Sequence, residues 1–208
     1  MEPSLRLAVL LSGSGTTLQN LLDHIADGRL SAKVVLVVSN RGDAFGLQRA
    51  QQASVSTAVV ERKDFGSREE FSQDIFDRCR HARVDLVCLA GFLQLIHIPE
   101  DFRGRVMNIH PSLIPAFCGK NYYGQHVHEA ALEYGVKVSG CTVHFADNQY
   151  DHGPIILQRA VPVLDDDTPQ TLAARVFAEE CQVYPAAIRL FAEGKLQLEG
   201  RRVRITGS

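Results

Sequence analysis

Short runs rich in β-branched residues and leucine alternate with longer amphipathic stretches along the first half of this chain, and that alternation narrows the fold more than any other feature. It is the pattern of βαβ units around a parallel sheet. Strands are expected near 5–11, 33–39, 56–60, 84–90 and 105–110, with helices near 16–27, 44–53 and 67–82. Leu18, Leu21, Leu22 and Ile25 show the helical spacing. The runs at 34–38 and 84–90 are almost continuously apolar, as befits central strands covered by helices on both faces. After residue 110 the pattern changes. A Pro- and Gly-punctuated loop, Pro111 to Gly124, leads to a helix near 125–134 and a strand near 138–146. The loop at 147–153 is too short for a parallel crossover, so the strand near 155–163 should pair antiparallel with its predecessor. Thr168-Pro169 supplies an N-cap and a first-turn proline for a long helix, and Lys195–Ile205 reads as an edge hairpin. The expected class is α/β: a three-layer, Rossmann-like, mostly parallel sheet with helices on both faces and an antiparallel C-terminal edge. Its 208 residues, without repeat or linker, read as one domain, 1–208.

Composition narrows the function. With 22 Lys+Arg against 24 Asp+Glu the net charge is -2, so no global positive field exists to hold nucleic acid or an anionic membrane, and an anionic partner must be met locally. No apolar run approaches the roughly 20 residues that span a bilayer. Met1-Glu2-Pro3-Ser4-Leu5-Arg6 lacks the layout of a signal peptide, which makes a cytoplasmic location the default. The five cysteines have no C-x-x-C spacing, so reduced thiols are expected, with neither a disulfide framework nor structural zinc.

Gly13-Ser14-Gly15-Thr16-Thr17 falls between the first strand and the first helix, where glycine lets backbone approach a ligand and free helix N–H groups face an anion. Leu18 stands where a dinucleotide fingerprint needs its third glycine, and Ser39-Asn40 end the second strand where it needs an acid. A Walker-type loop is missing too. A phosphate monoester fits this turn; the alternative is a tight βα turn that uses glycine for steric reasons alone.

In Val106-Met107-Asn108-Ile109-His110-Pro111, Asn108 and His110 are two apart on a strand and share a face, and Pro111 ends that strand. An amide and an imidazole thus stand together at the carboxyl end of a strand, where open α/β sheets hold ligands. The alternative is a buried hydrogen-bonded pair that supports the following loop.

Asn108-Ile109-His110-Pro111-Ser112-Leu113-Ile114-Pro115, Ser12 to Gln19, Leu89-Ala90-Gly91-Phe92, Gly140 to Phe145 and Asp151 to Gln158 follow one another in the order found in a known family. On these motifs the chain resembles the phosphoribosylglycinamide formyltransferases over residues 5–193. The resemblance implies the formyltransferase fold and transfer of a formyl group from 10-formyltetrahydrofolate, as cosubstrate, to the amine of 5'-phosphoribosylglycinamide. It implies no metal, and it leaves the oligomeric state open, a homodimer being one option. Asn108, His110 and Asp151 match the family's catalytic triplet. An amide and an imidazolium would stabilise the oxyanion of the tetrahedral centre, and Asp151 should raise the pKa of His110 and relay the amine proton. Taken alone, Asp151 reads as part of a solvated acidic turn.

The same resemblance assigns the substrate phosphate to Gly15, Thr16 and Thr17 and the sugar to Glu180. Independently, Leu172, Val176, Glu180 and Tyr184 form an i, i+4 row, which sets Glu180 on an apolar stripe unless it reaches to water from the helix edge. For the folate, the resemblance points to Leu93, Gln94, Leu95 and Ile96, to Arg68, to Asn108, and to Asp147, Asn148, Gln149, Tyr150 and Asp151. Gln94 replaces an arginine of some members, and the stretch 118–124 is longer than in shorter ones. His126 and His128 should lie on different helix faces, which disfavours a metal site, and His144, alternating with Thr142, reads as structural. The competing readings are a 10-formyltetrahydrofolate hydrolase, whose N-terminal regulatory domain has no room before the first strand, and a non-catalytic nucleotide-binding module. Methionyl-tRNA formyltransferase shares the core but carries a further C-terminal domain.

Overall fold

The computed structural model describes residues 4–207. Its internal contacts gather into two compact units that divide between Met107 and Asn108. The first contains β1 (Leu5–Leu11), α1 (Thr16–Ala26), β2 (Ala32–Ser39), α2 (Phe45–Gln52), β3 (Ser56–Val59), α3 (Arg68–His81) and β4 (Leu86–Leu89). These strands lie in the order β3-β2-β1-β4, and every pair is parallel. Leu7 to Leu11 are 0% exposed, both odd and even positions, so β1 is covered on both faces, as its unbroken apolar run requires. The helices carry the local signals expected of them. Ser67 Oγ accepts the Glu70 N–H at 3.0 Å to cap α3, with Glu69 and Glu70 in its first turn and Arg78, Arg80 and His81 in its last, in keeping with the helix dipole. Phe71, Ile75, Phe76 and Cys79 form the buried face of α3.

β5 (Val106–His110) begins in the first unit and ends in the second, which continues with α4 (Gln125–Tyr134), β6 (Val138–Phe145), β7 (Ile155–Pro162), α5 (Pro169–Ala192), β8 (Leu196–Glu199) and β9 (Arg202–Ile205). β6 and β7 pair antiparallel, from Val138 opposite Pro162 to His144 opposite Ile155, with a register shift between Val143 and His144. β8 and β9 form an antiparallel hairpin that joins the edge of β7 through a parallel pairing of Ile155 with Arg202. α5 opens with a reciprocal capping box between Thr168 and Thr171, and Pro169 follows the cap. It buries Leu172, Val176, Val183, Tyr184, Ala187 and Ile188. The chain is α/β, with parallel strands and crossover helices first and an antiparallel C-terminal edge. Among the described residues no helix is long and apolar enough to cross a membrane.

Candidate active site

The second unit brings Asn108, His110 and Asp151 together. The two-residue step on β5 turns Asn108 and His110 to one side, and the β6–β7 loop returns Asp151 to them. Asn108 Nδ2 donates to Asp151 Oδ1 at 3.2 Å, and His110 Nδ1 lies 3.5 Å from Asp151 Oδ2. The backbone N–H of Gly119 donates to Oδ2 at 2.8 Å. Asp151 has φ 49°, a left-handed backbone that side chains with a Cβ resist. The carboxylate is therefore held by a strained loop and two donors, with His110 beside it, and it is no solvated turn.

His144, which reads as structural in the sequence, belongs to this cluster. Its Nδ1–H donates to the Phe145 carbonyl at 2.9 Å; Nε2 of the neutral ring accepts from Asn108 Nδ2 at 3.1 Å and also lies 3.8 Å from Asp151 Oδ1, to which a protonated ring would donate. The two Asn108 hydrogens go one to His144 and one to Asp151. This fixes which way the amide faces, because the flipped form would set its oxygen against the carboxylate. The signal for His144 was the same alternation on β6 that marks Asn108 and His110 on β5.

Burial tends to raise the pKa of Asp151, yet His144, His110 and the Gly119 N–H outweigh it, and the group stays below the ordinary carboxylate value. For His110, Asp151 does pull the pKa upward as expected, but the net shift is downward. Burial is the strongest influence and lowers its pKa, Asp151 and the Phe117 carbonyl pull upward without overcoming it, and His144 adds to the lowering. A residue only 4% exposed loses more by giving up hydration of the cation than a carboxylate 3.5 Å away returns. The expected free donors are also already in use. His110 Nε2–H donates to the Phe117 carbonyl at 2.9 Å, and both Asn108 hydrogens are engaged. In the neutral ring with its hydrogen on Nε2, a lone pair faces Asp151; with the hydrogen on Nδ1, a lone pair faces the Phe117 carbonyl. Only the imidazolium satisfies both neighbours, so burial and hydrogen bonding oppose each other at this ring.

Glu180 lies in the same unit on α5, half-buried. Burial alone pushes its pKa up to about 7. Asp147 is half-buried and Asn148, Gln149 and Tyr150 are exposed, so the rest of the 147–151 loop is open for contact. His126 is exposed and meets Glu129 at 3.0 Å, whereas His128 is buried on another face of α4. Among the described residues His128 Nδ1 has no partner, and burial together with nearby His110 lowers its pKa.

The remaining candidates are in the first unit. Gly15 is the N-cap of α1 at φ 69° with no side-chain cap, so the first N–H groups of the helix, from Thr16 and Thr17 onward, are open to an anion. A Cβ on Gly15 would fall 2.5 Å from Gly46 Cα, so glycine is needed here for space as well as for the turn. Arg49, absent from the sequence reading, braces this loop: its Nε donates to the Ser14 carbonyl at 2.9 Å and its Nη1 to Gln19 Oε1 at 3.1 Å. Nothing in residue spacing announces it, because its partners are 30 and more residues away. Ser12 ties the other loop, accepting the Leu93 N–H at 2.9 Å while donating to Asn40 at 2.6 Å. Leu93 is 46% exposed, Gln94 and Leu95 are partly exposed and Ile96 is buried, an apolar wall with an open edge. Arg68 stands exposed at the start of α3, 3.7 Å from Glu69.

A family model described as formyl transferase matches residues 5–188. The trifunctional purine biosynthetic protein adenosine-3 of Drosophila melanogaster is 46% identical over 193 residues, which are 91% of this chain and 14% of that protein; the chain thus spans about one seventh of that relative. Phosphoribosylglycinamide formyltransferase of Haemophilus influenzae is 39% identical over 204 residues, 97% of this chain and 94% of that one. Among solved structures, glycinamide ribonucleotide transformylase 1 from Symbiobacterium toebii superposes with a TM-score of 0.93 at 49% identity, covering 100% of this chain and 96% of its own. With the matched residues running through both units and including Asn108, His110 and Asp151, this chain belongs to the formyl transferase family.

Proposed function

We propose that this chain transfers the formyl group of 10-formyltetrahydrofolate to the amine of 5'-phosphoribosylglycinamide, giving N-formylglycinamide ribonucleotide and tetrahydrofolate. The observation that carries the reading is the Asp151 carboxylate, held between Asn108, the Gly119 N–H and His110. The attacking amine forms a C–N bond to the formyl carbon, the oxygen takes up negative charge, and the bond to N10 of the folate then breaks. Asp151 takes the proton that the amine sheds and passes it toward the departing N10. His110 presents its Nε2–H at a point where a carbonyl oxygen, that of Phe117, already sits at 2.9 Å. The formyl oxygen takes that place. As it becomes negative it favours the imidazolium, offsetting the burial that holds the resting ring neutral.

The open N–H groups at Gly15, Thr16 and Thr17 take the phosphate monoester, and Glu180 accepts from the sugar hydroxyls. The 93–96 segment and the 147–151 loop receive the pterin, and exposed Arg68 can meet the folate's carboxylate tail. None of the five cysteines is in a disulfide, which suits a cytoplasmic enzyme. Sedimentation velocity at assay concentration tests the homodimer.

The deciding experiment follows tetrahydrofolate release from 10-formyltetrahydrofolate with and without the ribonucleotide. Turnover only with the ribonucleotide is the expected result. Turnover without it identifies a hydrolase, and tight binding with no turnover identifies a binding module.

A further inference from the structure

The loop that carries Asp151 is closed by side chains which the proposed reaction does not use. Asp147, at the start of the loop, accepts the Gln149 N–H on Oδ1 at 2.9 Å and faces His152 Nδ1 with Oδ2 at 2.7 Å. Arg201, in the turn between β8 and β9, then grips His152 twice: Nη1 lies 2.9 Å from the ring Nε2, and Nη2 donates to the His152 carbonyl at 2.8 Å. A guanidinium only donates, so Nε2 must accept, and the ring hydrogen lies on Nδ1 and goes to Asp147. The result is a one-way chain of donors, Arg201 to His152 to Asp147, across the mouth of the loop. The pairing of Ile155 with Arg202 sets Arg201 level with the loop exit. On the other side Gly153 packs so closely that a Cβ would lie 1.8 Å from the Phe145 carbonyl. Within the span that the Asp147–His152 contact closes, and next in the chain to both His152 and the Gly153 contact, sits Asp151 with its left-handed backbone. Such a conformation persists only where its surroundings over-determine it.

We propose that Arg201 and His152 are positioning residues for the reaction: the C-terminal hairpin latches the β6–β7 loop so that Asp151 keeps its left-handed backbone and its place beside Asn108 and His110. This rests on the formyl-transfer reading, because the latch acts through Asp151. It also gives the terminal hairpin, which adds little to the core, a part in the chemistry.

The test measures wild-type transfer first, then Arg201→Ala, His152→Ala, His152→Gln and the double alanine variant. Both alanine variants should lose roughly tenfold or more in kcat, the scale of a misplaced reacting group, with the KM for the ribonucleotide within twofold. Their melting temperatures should stay near wild type, because exposed pairs add little to stability. His152→Gln should keep most of the rate, since its amide offers one donor and one acceptor as the neutral ring does. The double variant should be no worse than the poorer single one. A kcat for Arg201→Ala within twofold of wild type would overturn the latch. So would a His152→Gln as slow as His152→Ala, or a loss of rate that merely follows a fall in melting temperature. If wild type transfers nothing, the formyl-transfer reading fails, and the latch is judged by hydrogen exchange over residues 146–153. Faster exchange in Arg201→Ala supports it, and unchanged exchange refutes it.

Discussion

At Asp151 a single carboxylate is asked both to hold a geometry and to move a proton, and the two duties separate on substitution. Asp151→Asn keeps the shape and one acceptor for the Gly119 N–H but sets an NH2 against Asn108 Nδ2 and removes the charge beside His110. Folding should survive at a cost of about 1–2 kcal/mol, while kcat falls by about a hundredfold or more, as expected when a proton acceptor is removed. Denaturant titration and tetrahydrofolate release measure the two effects; near-normal kcat would remove Asp151 from the chemistry. Only part of this cluster was legible in the sequence. Asn108 and His110 stand out because a strand has period two and Pro111 stops it. Asp151 carries no periodic signal, lies 41 residues beyond His110 and came forward only through family resemblance. For His110 the charge–charge argument gave the right sign for the Asp151 contribution but not the net shift, because it leaves out what burial costs the cation.

Among the elements, the turn from β1 into α1 depends on packing that no local pattern encodes. The first glycine loop and its helix were readable from strand, glycine and hydroxyl order, and so was nearly every other element, because apolar periodicity records which faces are covered. The approach of Gly15 to Gly46 at the start of α2 was not readable, since it joins residues 31 apart through space. The two loop glycines therefore differ sharply. Gly15→Ala forces a Cβ to within 2.5 Å of backbone at φ 69°, so it should cost at least about 2 kcal/mol and raise the KM for the ribonucleotide as the α1 N–H groups shift. Gly13→Ala meets nothing within 4 Å and should change stability by no more than about 0.5 kcal/mol. Paired urea titrations and KM measurements would separate them, and equal effects would mean that the loop is not set by the Gly15–Gly46 approach.

For the molecule as a whole, buried groups of opposite kind set how stability varies with pH. His110 and His128 sit below their ordinary 6.5 because burial disfavours the cation. Below pH 6.5 the unfolded chain therefore takes up protons that the native state refuses, and stability falls as pH drops. Glu180 acts in the opposite sense. Its native pKa is about 7 against an ordinary 4.5, so between those values the native state holds a proton that the unfolded chain has released, and stability falls as pH rises. From pH 5 to 6.5 the two histidines and the glutamate partly cancel, and the wild-type slope should be shallow. Glu180→Gln removes the glutamate's share alone. Its slope should be more positive than wild type by up to roughly 1.4 kcal/mol per pH unit, and above pH 7 the variant should be the more stable protein, by up to roughly 3 kcal/mol. The same substitution takes the carboxylate from the proposed sugar contact, so the KM for the ribonucleotide should rise while stability improves. Urea unfolding of both proteins at half-unit steps from pH 5 to 8 reads the slopes directly. Parallel lines would show that Glu180 is not held protonated by burial.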